Sequence, residues 1–121
     1  MILQDKFYTI TSLNHENGLI EAVINIDANH EIFKGHFPGN PVTPGVVQME
    51  IIKELLSIYL KRTVHLKTLS TCKFLAILNP NETPNVNVKM SILPNETDSI
   101  KISGQILADS TTFFKIQAEY N

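Results

Sequence analysis

Helical periodicity is confined to one long stretch of this 121-residue chain, and most of the remainder alternates. From Pro44 to about Leu60 there is no glycine beyond Gly45 and no further proline. Val46, Val47, Met49, Ile51, Ile52, Leu55, Leu56, Ile58 and Tyr59 cover most of a helix circumference there. Glu50, Lys53, Glu54 and Ser57 leave a narrow polar stripe, which reads as a solvated face. A helix this apolar needs cover on nearly every side. Thr43 is placed to N-cap it, and Pro44 to fill the first helical position, where a missing N–H costs nothing.

The cover comes from strands. Val86, Val88, Met90 and Ile92 alternate with Asn85, Asn87, Lys89 and Ser91. Ile100, Ile102, Gly104 and Ile106 form a second such row, and Phe114, Ile116, Ala118 and Tyr120 a third. Period-two alternation marks a strand with one buried face. Phe7–Leu13 and Leu19–Ile26 flank the hairpin signal Asn14–Gly18, and Val64–Leu78 reads as one bent strand. Pro80–Thr83 and Pro94–Thr97 share the sequence Pro-Asn-Glu-Thr and read as strand-end turns. The expected fold is α+β, one long buried helix wrapped by an antiparallel sheet, as a single domain over residues 1–121.

Bulk properties exclude several functions. Net charge is -2, with no basic run, so neither nucleic acid nor an anionic membrane is an expected partner. No apolar run approaches a membrane span, and Asp5 and Lys6 interrupt what would be a signal peptide. The lone Cys72 cannot form an intrachain disulfide and reads as a small core residue. A reducing, cytoplasmic setting is the expectation.

The chemistry concentrates just before the helix. Gly35–Gly45 holds three prolines and three glycines in eleven residues, a rigid loop feeding straight into the helix. His36 supplies an imidazole able to exchange protons near neutral pH. Gly45 lies in the first helical turn, where unpaired N–H groups and the helix dipole favour developing negative charge. Glu50 follows on the same helix, and a rise of 1.5 Å per residue puts it roughly 9 Å from Gly45. Proton abstraction beside a thioester carbonyl needs a base at the α-carbon, a donor at the carbonyl oxygen and an acid at the departing hydroxyl. The segment offers one of each. The ordinary readings are a structural histidine, a tolerated glycine and a solvated glutamate, and spacing alone does not choose. His30, Glu31 and His36 lack metal-site spacing, and no metal is expected.

Gly35-His36-Phe37-Pro38-Gly39-Asn40-Pro41-Val42-Thr43-Pro44-Gly45-Val46, with Glu50 fourteen positions after His36, resembles the signature of the beta-hydroxyacyl–acyl carrier protein dehydratases. The resemblance implies a hot-dog fold, with His36 acting on the α-carbon, Glu50 as the acid near the β-hydroxyl, and the Gly45 N–H polarising the carbonyl. It implies an acyl tunnel, for which Phe37, Pro38, Val46, Met49 and Ile51 are candidates. The partner would be acyl carrier protein bearing a phosphopantetheine-linked acyl chain, with no metal or organic cofactor. It also implies a homodimer whose sites combine His36 of one protomer with Glu50 of the other. A higher oligomer and a heterodimer with a paralogue are the alternatives. A Pro-His-Arg-type segment usual before the first strand is not found, and Ile51 and Glu54 replace the usual Ala and Gln. Two competing functions on the same fold are an acyl thioesterase and a non-catalytic acyl-binding or dimerisation subunit.

Overall fold

Asn17 and Gly18 both have positive φ, 51° and 79°, the pairing that a two-residue hairpin turn requires. They join β1 (Tyr8–Glu16) to β2 (Leu19–Ile26) in a computed structural model that describes residues 1–37 and 39–121. After β2 come α1 (Ile32–Gly35) and α2 (Gly45–Leu60), then β3 (Leu66–Phe74), β4 (Asn85–Leu93), β5 (Ile100–Ala108) and β6 (Thr111–Tyr120). The strands form one sheet in the order β1-β2-β4-β5-β6-β3, every neighbour antiparallel. With α2 packed into it, this is the hot-dog arrangement that the periodicities and the motif anticipate. Both Pro-Asn-Glu-Thr segments precede strands, β4 and β5.

Registers explain the core. Val88 lies opposite Ala22 and Ile106, while Gly104 lies between Met90 and Ile116. Against these rows α2 sets Ile51, Ile52, Leu55 and Leu56, all fully buried. Each such side chain stabilises the fold by about 1.5–3 kcal/mol through removal from water. Gly104 lets the helix approach. A Cβ there would stand 3.4 Å from Ile52 Cδ1 and 3.3 Å from Ile116 Cγ2.

Four expectations need correction. Pro44 is itself the N-cap and Gly45 opens the helix, while the Thr43 hydroxyl is buried with no partner among the described residues. The hairpin turn is shorter than Asn14–Gly18, because cross-strand pairing continues to Glu16 and Leu19. The strand expected over Val64–Leu78 ends at Phe74. The polar stripe is not a solvated face: Glu54 is only 2% exposed and Ser57 is also buried. Distant chain covers them. Leu3 and Gln4 donate their N–H groups to Glu54, and the Val64 N–H donates to Ser57 Oγ.

β3 stands at the sheet edge, and its inward row is left uncovered. Leu66, Leu69 and Phe74 pair with Tyr120, Ala118 and Phe114, which are buried, yet the three are themselves exposed. Among the described residues no helix is long and apolar enough to cross a membrane. Replacing Ile52 by Ala removes the helix contact over Gly104 and should cost about 2–5 kcal/mol in denaturant unfolding. Gly104→Val should cost about 1–3 kcal/mol by overpacking the same spot.

Candidate active site

The loop carrying His36 is tied at several points. The His36 N–H donates to the Phe33 carbonyl at 3.3 Å, and the His36 carbonyl accepts from Val42 N–H at 2.8 Å. Thr43 N–H reaches the Leu78 carbonyl at 2.9 Å, fastening the loop to the segment beyond β3. The imidazole stacks on Phe37 with centroids 4.6 Å apart. Its Nδ1 is buried and has no hydrogen-bond partner among the described residues.

Gly45 begins α2. The N–H groups of Val47 and Gln48 both donate to the Pro44 carbonyl at 3.1 Å, so Gly45 and Val46 carry the helix's first two amides. Any side chain at 45 would have to displace a ring. A Cβ there would stand 2.5 Å from Phe74 Cε1 and Cζ, and Phe74 is itself braced on Phe114 with ring centroids 5.1 Å apart. An aromatic ring thus lies against the helix end, whose unpaired amides and dipole favour negative charge on an oxygen placed there.

Glu50 lies on the next turns of α2, with its side chain 28% exposed. Burial pushes its carboxyl above the usual carboxylate range; Lys53, 4.0 Å away, pulls it down, and Glu54 pushes it up again. Burial, then Glu50, then Cys72 push Tyr120 up to about 12. Tyr120 ends β6, opposite Leu66 of β3. No hydrogen bond or ion pair links Glu50 to His36 among the described residues of one chain.

The other expected residues scatter. Val46 is 74% exposed, Phe37 is exposed and Met49 is half-buried, whereas Ile51 lies wholly inside the core. Pro38 lies outside the described residues. Phe37, Val46, Phe74, Leu75 and Ile77 are all exposed apolar side chains, from the loop, the start of α2 and the end of β3 onward. Cys72 is half-buried, and burial raises its thiol. Among the described residues no cluster of three or more His, Cys, Asp or Glu side chains could hold a metal.

Two residues at the site had gone unassigned. Gln48 is buried, donating to the Thr43 carbonyl at 3.2 Å and holding Oε1 without a partner among the described residues. Its signal was a lone amide on an otherwise apolar helix turn. Nothing in the sequence signals that Phe74 meets Gly45, since only the folded register brings them together.

A family model described as ApeI-like, ApeI dehydratase, matches residues 12–117. The dehydratase FabZ of Pediococcus pentosaceus is 36% identical over 78 residues, covering 59% of this chain and 52% of that protein. That of Lactobacillus helveticus is 36% identical over 73 residues, covering 54% and 49%. The chain thus spans about half the length of the curated relatives it matches. Among solved structures, the dehydratase heterocomplex ApeI:P of Xenorhabdus doucetiae superposes with a TM-score of 0.72 at 18% identity, covering 93% of this chain and 96% of that one. A Staphylococcus aureus thioesterase mutant gives 0.67 at 11% identity, covering 98% and 95%. These two likenesses speak for the fold alone.

A double-mutant cycle checks the Gly45–Phe74 contact. Gly45→Ala alone should lower stability by about 1–3 kcal/mol. In a Phe74→Ala background the same change should be neutral or stabilising by up to about 1 kcal/mol, as Ala favours helix.

Proposed function

We propose, since this chain belongs to the ApeI-like dehydratase family, that it interconverts 3-hydroxyacyl and trans-2-enoyl thioesters carried on acyl carrier protein. The supporting observation is one loop-helix unit that carries an imidazole with a buried, unpartnered Nδ1, a helix-end glycine amide and a carboxyl raised by burial. In dehydration, His36 Nε2 takes the α-proton while the Gly45 N–H holds the carbonyl oxygen as charge gathers on it. The electron pair forms the Cα–Cβ double bond, the Cβ–O bond breaks, and Glu50 protonates the leaving hydroxyl to water. Hydration runs the same steps backwards. The pathway is fatty acid synthesis or a related polyene or polyketide route, and a cytoplasmic setting suits the lone thiol.

The working unit is a homodimer of one hot-dog domain per chain. An unpaired β3 edge with Leu66, Leu69 and Phe74 exposed favours pairing with a second copy. Within one chain Glu50 has no tie to His36, which favours the acid of one protomer serving the histidine of the other. Gln48, inside the same loop-helix unit, holds the Thr43 carbonyl in place.

The test is turnover of 3-hydroxyacyl and enoyl thioesters on acyl carrier protein, across chain lengths. His36→Ala and Glu50→Gln should each lower kcat/KM by about 10²–10⁴-fold with melting unchanged. Free thiol release in place of enoyl absorbance would point to a thioesterase, and binding without turnover to a non-catalytic subunit. Leu69→Lys should turn the dimer into a monomer by sedimentation and remove activity with it; an active monomer would contradict the shared site.

A further inference from the structure

Glu54 is a buried carboxyl that the proposed reaction does not use. Its Oε2 accepts from Leu3 N–H at 2.9 Å, and its Oε1 from Gln4 N–H at 3.0 Å and the Tyr8 hydroxyl at 2.9 Å. Two backbone amides and a phenol are thus committed to it, and all three donate. It lies one helical turn beyond Glu50, the spacing at which side chains on a helix face each other.

We propose that Glu54 is a positioning residue for the acid: locked by Leu3, Gln4 and Tyr8, it is the acceptor of a carboxyl pair and leaves Glu50 as the member that holds the proton. This rests on the reading of Glu50 as the acid at the β-hydroxyl. Two carboxyls one turn apart on a helix, in a partly desolvated place, resist carrying two negative charges. The one with committed donors keeps the acceptor role, and the proton goes to its neighbour. The groups facing Glu50 pull both ways, with burial the largest influence. On its own helix Lys53 favours the charged form and Glu54 opposes it; among the described residues β1 and β6 bring the Tyr8 and Tyr120 phenols, raised by burial first and then by the nearby carboxylates, with Asp5 adding to Tyr8 and Cys72 to Tyr120. The same lock fastens the start of the chain to α2, so docking of that segment and readiness of the acid are linked.

A carbon-13 carboxyl titration of Glu50 tests this without any need for turnover. In Glu54→Gln the Glu50 midpoint should fall by about half a pH unit or more. Dehydration requires the protonated acid, so it is present below the Glu50 midpoint and lost above it. The alkaline limb of kcat/KM should therefore move to lower pH in Glu54→Gln and return towards wild type in Glu54→Asp. An unmoved midpoint in folded Glu54→Gln overturns the proposal. If that variant fails to fold, the wild-type curve decides: a two-step Glu50 signal supports the pair, and a single independent step refutes it. Coupled carboxyls in a protein inert towards every thioester would reject the dehydratase reading while leaving the pair intact.

Discussion

Everything at the candidate site depends on α2 being unable to move. Ile51, Ile52, Leu55 and Leu56 are sealed against the inner rows of β2, β4, β5 and β6, with Gly104 removing the side chain that would hold the helix off. A helix so fixed makes its first turn a fixed object too. The loop before it is then stretched between anchors, Thr43 on Leu78 and His36 on Phe33 and Val42. Proton transfer and oxyanion stabilisation both require placement to a fraction of an ångström, which a rigid helix end provides and a free loop would not.

The same packing leaves one side unfinished. The sheet covers α2, but the outer edge of β3 lacks a hydrogen-bonding neighbour among the described strands, and its inward apolar row is left exposed. The exposed apolar side chains of Phe37, Val46 and Phe74 come from the loop, the helix start and this edge strand. An edge of this kind is a liability in an isolated chain and an interface in a paired one. The proposed division of the site between two chains follows from the same feature.

The three alternating rows at 85–92, 100–106 and 114–120 were legible because each is a plain period-two strand with one face buried. β3 was less so. Leu66 and Leu69 are three residues apart yet pair with Tyr120 and Ala118, which are two apart, because the register slips within the strand. Such bulges break the alternation from which strands are read. The His36–Glu50 interval was visible as a motif, whereas the fate of Glu54 was not. Helical spacing placed Glu54 on a polar stripe, and nothing local reveals that Leu3 and Gln4, some fifty positions earlier, fold over it. Phe74 was hidden for the same reason, since its meeting with Gly45 is a tertiary fact. Motif chemistry is local in sequence, and its support is not.

The most direct measurement mixes the two site variants. His36→Ala and Glu50→Gln homodimers are unfolded together, refolded as a mixture, and assayed for enoyl thioester formation. Random pairing of symmetric dimers leaves one intact site in each mixed dimer, so activity should return to about a quarter of wild type. A mixture as silent as either variant alone, beside an active wild type refolded in the same way, would show that His36 and Glu50 do not meet across two chains.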